Sequence, residues 1–466
     1  MKTQSAYRRC RQILIAVLIF FCIFSNIFPF INIDLHVIIL TPMRLFLFLI
    51  SGYCAAIWGI RIVRKTFLES FSGHKLWGTV LIFMAAWSLC GTLWLIFGVP
   101  NTLAQTEVIG IITLFLYAFC FFTLIKEKDD FSLCLRTLVW SGLILALMAD
   151  VEIVIGSFLK SSAYYFTLEE RIASGHTLFP PSTVFMNTND LCAFLLMCLA
   201  ILLYRFIQVK TVKEYLLCTI TAIILLSPTP ICNSTIFYIA FAFLILISIV
   251  LLLCFRNNKK GTGLAFFELI YQFPMCTLVK FVAGRMNTLY FSDKINKQLP
   301  GNEDSLLDAN NKILEDSLLS QLAASQAGYG TIHIRYWLIR AGIDFFTQSP
   351  WIGCGPGGFR KLIKSNQSYL MQTRNIIDPH NFFIELLCQY GIFFFLAYIS
   401  ILVFMLVLIF KRLIREIRDH TPGRGVLALL LLVAFVFVSI LPSGFIRLTP
   451  IWLFFFCLVS TLELKY

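Results

Sequence analysis

Apolar residues run in long blocks along almost the whole chain, with polar residues clustered between the blocks. A helix of about 20 apolar residues is long enough to cross the hydrocarbon core of a bilayer. The pattern therefore predicts about twelve transmembrane helices. They lie near residues 13–33, 37–59, 77–98, 108–125, 137–158, 183–204, 215–230, 234–254, 263–283, 382–410, 425–441 and 448–463.

The polar stretch at 284–381 is the longest interruption of this pattern. It predicts an all-α polytopic membrane protein with one large extracytoplasmic loop between helices 9 and 10. The chain then divides into an N-terminal bundle (1–283), the loop with the candidate active site (284–381) and C-terminal helices (382–466). A content of 59% hydrophobic and 14% charged residues is too apolar for a soluble domain of this length.

The net charge of +13 at first suggests a nucleic-acid partner, but the basic residues fall on one side of the predicted topology. With the N-terminus inside, the short outer connections carry few of them, while the inner ones carry many, such as 8–11, 61–65 and 411–424. This is the positive-inside rule. The charge therefore indicates a multi-pass protein of the cytoplasmic membrane with both termini in the cytoplasm, and no nucleic-acid binding.

Cysteine and histidine residues show no spacing typical of a metal site. Fourteen of the 15 cysteines lie in or beside apolar spans, without a C-x-x-C pair, and the six histidines are scattered. Cys354, in the outer loop, has no obvious partner in the sequence. We expect neither a metal nor another cofactor.

Arg335 lies on a helical pattern in the outer loop, with no acid within one turn on either side. A guanidinium group without an acidic neighbour suits the oxygens of an external phosphate. An arginine in a loop can also be merely solvated, so both interpretations stay open from the residues alone.

A glycine run, Gly353-Cys354-Gly355-Pro356-Gly357-Gly358, follows. It matches G-x-G-x-x-G, but it lacks the strand–helix context of a dinucleotide site. The run predicts a sharp turn back toward the membrane or a nest of N–H groups facing an anion, and the turn is the simpler interpretation.

The run Asp378-Pro379-His380-Asn381 directly precedes the tenth span. Aspartate is a good N-cap and proline fits the first helical position, so we expect the helix to begin here. His380 and Asn381 then lie in the first turn, where an anion is favoured and a histidine can accept a proton. A purely capping or interfacial histidine is the alternative.

Together these residues resemble the C-terminal signature of the O-antigen ligase and polymerase family over 331–400. Members have an arginine, then a Pro-x-x-Gly-x-Gly turn, then Pro-His-Asn at the start of a helix. Arg335, the run from Pro350 and the run from Pro379 follow that order. Further similarities are Asn187 and Asn189 in an Asn-x-Asn run, Arg171 before it, and Arg44 near the outer end of the second span.

One feature departs from the family. Where members often have Ser-Arg between the seventh and eighth helices, this chain has Asn233-Ser234-Thr235. Arg374 or Arg360 could serve instead, or the chain is a divergent member with a different acceptor.

The resemblance implies metal-independent, inverting glycosyl transfer on the outer membrane face. The donor would be a glycan on a polyprenyl diphosphate, and the acceptor a glycan or a lipid-linked sugar, with membrane lipid and other polysaccharide-assembly proteins as further partners. His380 and Arg335 would be catalytic. Substrate would be bound by Asn381, Gly353, Gly355, Arg374, Arg360, Arg171, Asn187, Asn189 and Arg44.

Three functions remain open. Polymerase and ligase share the fold. The absence of the arginine of the Ser-Arg pair, which is part of the ligase pattern, favours a polymerase of a surface polysaccharide. A flippase or transporter of lipid-linked glycans is typical of twelve helices, but no internal repeat relates the two halves. A structural scaffold would leave the pairing of Arg335 with His380 unexplained.

Overall fold

The computed structural model describes residues 2–27, 33–34, 39–64, 66, 73–98, 101–155, 181–185, 187–232, 234–255, 331–442 and 444–464. The first half contains helices α1 (Lys2–Phe24), α2 (Pro42–Val63), α3 (Lys75–Phe97), α4 (Thr102–Leu124), α5 (Lys128–Ile155), α6 (Thr188–Gln208), α7 (Val212–Leu226), α8 (Thr229–Cys232) and α9 (Thr235–Cys254). Two-residue strands β1 (Ile33–Asp34) and β2 (Ile39–Leu40) pair antiparallel between α1 and α2.

The second half contains α10 (Thr331–Gln348), α11 (Gly358–Ser365), α12 (Gln367–Gln372), α13 (Phe382–Arg418), α14 (Arg424–Val438) and α15 (Thr449–Glu463). Within the described ranges, nine helices are long and apolar enough to cross a membrane, and α14 and α15 are shorter apolar helices. The chain is therefore an all-α multi-pass membrane protein, as the hydropathy pattern predicts. Eleven predicted spans coincide with helices, whereas the span at 263–283 lies outside the described residues, so the count of twelve stays a prediction.

The centre of the bundle is formed by helices that are apolar on all sides. In α6 every residue from Asp190 to Leu203 is buried, and α15 is buried from Ile451 to Leu462. Such helices have no polar face to turn toward water or headgroups, so they pack against protein all round. α14 packs between them and contacts both.

Both ends of the chain lie at the same end of the bundle. Near the N-terminus, Arg11 Nη2 lies 2.7 Å from Asp130 Oδ2 at the start of α5. Near the C-terminus, the carboxylate of Glu463 accepts a hydrogen bond from the backbone N–H of Leu76 at the start of α3. We call this the terminal end. The glycine run, the C-terminus of α14 and the N-terminus of α13 lie at the opposite end, called the loop end.

Helix α13 is 37 residues long and is broken at Gly391, whose φ of 76° and ψ of −176° are not helical. The N–H of Ile392 leaves the helical ladder and donates to the carbonyl of Pro350 at 2.9 Å. The span predicted to begin at 382 therefore consists of a short segment next to the loop and a long segment that continues toward the terminal end.

Candidate functional site at the loop end

His380 occupies a turn that immediately precedes α13. Its φ of 48° lies in the left-handed region, which costs energy for a residue with a Cβ atom. Its Nδ1 atom is buried without a hydrogen-bond partner among the described residues. Burial, and to a smaller extent the neighbouring Arg335, lower the pKa of His380 to about 4. At neutral pH its ring is therefore uncharged and can accept a proton.

The start of α13 differs from the prediction made for Asp378 and Pro379. The helix begins at Phe382, and Asn381 is the N-cap, because its side-chain oxygen accepts hydrogen bonds from the N–H groups of Phe383 (3.0 Å) and Ile384 (3.3 Å). The prediction that Asp378 caps the helix and that His380 lies in the first turn is therefore wrong. Asparagine and aspartate cap equally well, so long-range contacts decide between them.

Asp378 binds two arginines instead. Its Oδ1 atom lies 2.8 Å from Arg360 Nε and 3.2 Å from Arg447 Nη2. Arg360 on α11 is almost fully buried, at 4% exposure, and it also interacts electrostatically with the buried Glu107 and Glu385. The turn that carries His380 is thus tied to α11 on one side and to the segment before α15 on the other.

Arg335 lies against the same turn, but its guanidinium group is engaged by backbone carbonyls. Nη1 donates to the oxygens of His380 (3.1 Å) and Ile440 (2.5 Å), and Nη2 donates to that of Leu441 (3.2 Å). The last carbonyls of a helix lack partners within it, and a positive charge is favourable there. Arg335 therefore joins the His380 turn to the end of α14. Three of the five N–H donors of the guanidinium group are thus used by carbonyls, and the role of Arg335 toward an external anion stays a prediction.

The glycine run forms a turn that is fully engaged by protein groups. Gly353, Gly355 and Gly357 all have positive φ, and the N–H groups of Cys354 and Gly355 donate to the carbonyls of residues 388 and 389. The N–H of Gly357 donates to the carboxylate of Glu107 at 3.0 Å. The anion that this run faces is therefore an internal carboxylate. Gly355 positions the loop on α13 and Gly357 positions it on α4, while the role of Gly353 and Gly355 at a substrate stays a prediction.

Cys354, expected to have no partner, lies with its Sγ 3.5 Å from the Sγ of Cys388 on α13. The two thiols form a further contact between the glycine run and the bundle. The sequence offered no sign of the pairing, because 33 residues separate the two cysteines.

A cavity of about 310 Å³ opens beside this cluster, between α1, α2, α6 and α15. Arg44, Asp190 and Arg447 line it together with the hydroxyl groups of Ser25, Thr41, Thr106 and Thr449. Asn187 caps α6 at its edge by accepting a hydrogen bond from the N–H of Asp190. Because Arg447 also binds Asp378, the cavity adjoins the turn that carries His380.

The remaining expected residues fall elsewhere. Asn189 lies in the first turn of α6 and is half-buried. Arg374 is exposed on the surface, in the left-handed conformation. Arg171 lies outside the described residues. Among the described residues, no group of three histidine, cysteine, aspartate or glutamate side chains is placed to hold a metal ion.

Two residues of this cluster were missed from sequence. Arg447 was not singled out, although it is one of the few basic residues in the short outer connections of the predicted topology. Glu107 was overlooked because the predicted span began at residue 108. A single acid in an apolar helix is a signal that could have revealed it.

Comparison with known proteins finds a match over the part of the chain that carries most of this cluster. Residues 176–399 match the family model described as O-antigen ligase. That range includes His380, Asp378, Arg335 and the glycine run, whereas Arg44, Glu107 and Arg447 lie outside it. The chain is also 21% identical over 432 residues to the teichuronic acid biosynthesis protein TuaE of Bacillus subtilis (strain 168). This similarity covers 90% of this chain and 78% of that protein. Residues 176–399, just under half of the chain, are therefore similar to the O-antigen ligase family.

Proposed function

We propose that this protein is a metal-independent, inverting glycosyltransferase that joins glycans carried on polyprenyl diphosphate at the outer face of the cytoplasmic membrane. The observation that carries the proposal is His380, held in a strained turn, largely buried and uncharged at neutral pH. Strained residues and buried polar atoms without partners are concentrated at functional sites.

In the proposed reaction, an acceptor hydroxyl oxygen attacks the anomeric carbon of the donor sugar from the face opposite the diphosphate. The bond from that carbon to the diphosphate oxygen breaks, and the diphosphate leaves with the electron pair. The ring of His380 takes the hydroxyl proton. Its low pKa makes it a weak base in the free protein, but the negative charge of a bound diphosphate would raise the pKa toward neutrality.

The charges of the loop end suit the leaving diphosphate. Arg335, Arg360 and Arg447 bring three positive charges to the turn, and Asp378 is the carboxylate in contact with two of them. Arg447 and Arg44 both line the adjacent cavity, which we assign to the diphosphate. Fixed positive charges in a site shielded from water stabilise developing negative charge without a metal. Arg335 holds the His380 turn through three of its five N–H donors, and its charge adds to that of the other two arginines.

Polymerisation of a surface polysaccharide is the preferred form of the reaction. The relative TuaE is named for teichuronic acid biosynthesis, and this chain lacks the Ser-Arg pair that members often have between the seventh and eighth helices. We place the site around His380 at the outer face of the membrane because the basic residues are in excess at the terminal end, which is the opposite end of the bundle. A ligase remains the alternative within the family, and its product distinguishes the two.

The test is conversion of a polyprenyl-diphosphate glycan by purified protein in the presence of a chelator. Wild type is compared with His380→Ala and Arg335→Ala, with rates normalised to folded protein. Longer glycans from the wild type, and none from the variants, would support a polymerase. Transfer of one finished glycan to an acceptor would indicate a ligase. Unreacted donor together with movement of the lipid-linked glycan across a vesicle membrane would replace the proposal with a transporter.

A further inference from the structure

A second cavity, of about 510 Å³, lies at the terminal end of the bundle, far from His380. It is formed by the start of α5, the last turns of α6 and α13, and the start of α14. Four basic residues line it: Lys128, Arg205, Arg412 and Arg424. Its one acidic lining residue is Glu416.

Glu416 is used to cap α14. Its carboxylate accepts hydrogen bonds from the backbone N–H groups of Gly423 (3.2 Å), Gly425 (2.6 Å) and Val426 (3.1 Å). Acids at the N-terminus of a helix are stabilised by the free N–H groups there. The carboxylate is therefore held at the helix start, and the cavity keeps an excess of three positive charges.

The arginines are held in position by the C-terminus of α15. Arg412 Nη1 donates to the carbonyl of Thr461 at 2.9 Å, and Arg424 Nη1 donates to that of Leu464 at 2.6 Å. These carbonyls satisfy some donors but carry no full negative charge. Two cations are thus fixed at the inner wall, and Lys128 and Arg205 lie exposed at the rim.

Apolar side chains form the rest of the wall. Phe131, Leu135 and Leu427 line the cavity next to the basic residues. A free phosphate would gain nothing from these groups, whereas a phospholipid would place its headgroup on the cations and the first carbons of its chains on the apolar wall. Basic pockets between transmembrane helices at the membrane surface are typical of anionic lipid sites.

We propose that this cavity binds the phosphate headgroup of an anionic phospholipid. The site is separate from the glycan site, and it stands whether or not the proposed glycosyl transfer is correct. Bound lipid would join α5, α6, α13 and α14 at the end of the bundle where both termini lie.

The test measures lipid binding to the delipidated full-length protein by native mass spectrometry. The probes are dioctanoyl phosphatidylglycerol, dioctanoyl phosphatidylcholine and inorganic phosphate. The variant Lys128→Gln with Arg205→Gln removes two rim charges and leaves the arginines that bind α15 intact. The matched control, Lys411→Gln with Arg418→Gln, removes two exposed charges at the same end of the bundle that do not line the cavity.

We expect phosphatidylglycerol to bind about 25-fold more weakly to the rim variant, since each charge near an anionic headgroup contributes about fivefold. The control variant should change binding by about twofold or less, because exposed charges are screened by salt. Equal weakening in both variants would overturn the site. If phosphatidylcholine binds as tightly as phosphatidylglycerol, the site does not require an anionic lipid. If inorganic phosphate binds as tightly, the site binds free phosphate and not a lipid headgroup.

Discussion

Two turns between α10 and α13 reach left-handed backbone conformations in different ways. In the glycine turn, residues 353–357, positive φ falls only on glycines. In the histidine turn, residues 374–380, it falls on Arg374, Asn375 and His380, which carry Cβ atoms. The amides of the glycine turn are matched to protein acceptors, whereas the buried Nδ1 of His380 has no hydrogen-bond partner among the residues that the structure describes.

This difference separates a scaffold from the proposed reactive site within one segment. The glycine turn has low strain and satisfied polar groups, so its conformation follows from its own sequence and from α13. The histidine turn is held in its strained conformation by contacts with other parts of the chain. Arg335 bonds the carbonyl of His380, and Arg360 and Arg447 bind Asp378. Strain that is maintained by several partners is typical of positions selected for function.

The largest expected effect is on turnover. His380→Ala should lower the rate of glycan transfer by about 100-fold to 10,000-fold, the usual contribution of a proton acceptor. Removing the ring also relieves burial of a polar atom, so thermal unfolding should occur at an unchanged or higher temperature. His333→Ala on α10, away from the turn, is the matched control and should retain the rate. If His380→Ala keeps wild-type turnover, the histidine turn takes no more part in the reaction than the glycine turn, and the proposed difference between them is wrong.

A change in the glycine turn should act on folding instead. Gly353→Ala places a Cβ atom against the backbone of Gln389, and φ of 73° disfavours alanine. We expect a loss of about 2–4 kcal/mol in the free energy of unfolding and a lower folded yield. Turnover per folded molecule should stay near wild type. Gly52→Ala is the control, because its added Cβ meets open space and alanine favours a helix.

Arg335→Lys tests the link between α10, the histidine turn and α14. Lysine keeps the charge but cannot form the three-way contact with carbonyls, so unfolding should become easier by about 1.5–3 kcal/mol. Turnover should fall as well, because His380 is no longer fixed. Denaturant unfolding and rate are measured on the same samples. Wild-type turnover and wild-type stability in this variant would show that the hydrogen bonds of Arg335 to the three carbonyls are not needed.

The effect that is smallest at neutral pH, and grows only in acid, is the dependence of stability on pH. The pKa of His380 is lowered to about 4 in the folded protein, so between pH 6.5 and 4 the unfolded chain binds a proton at this residue and the folded chain does not. The free energy of unfolding is therefore highest above pH 6.5 and decreases as pH falls toward 4, by at most about 3 kcal/mol. His380→Gln should show a shallower fall in melting temperature over this range. Identical slopes for the two proteins would contradict the low pKa.

The fold was more predictable than the site, for physical reasons. Burial in lipid requires long apolar blocks, and those are visible in the sequence. The neighbours of Asp378 in space cannot be read from the sequence, because Arg447, which binds it, is 69 residues away. The same holds for Gly357 and Glu107, which are 250 residues apart. Local capping rules alone assigned the helix cap to Asp378, whereas Asn381 is the cap in the structure.

The break of α13 at Gly391 has a mechanical consequence. A continuous helix of 37 residues would be about 55 Å long, well beyond the thickness of a bilayer, and any tilt of it would swing its end sideways. The short segment from Phe382 to Tyr390 is instead bonded to the glycine turn, and Gly391 kinks the chain below it. The long segment that remains is about 40 Å, close to the thickness of a bilayer with its headgroups, and the turn that carries His380 rests on the short segment alone.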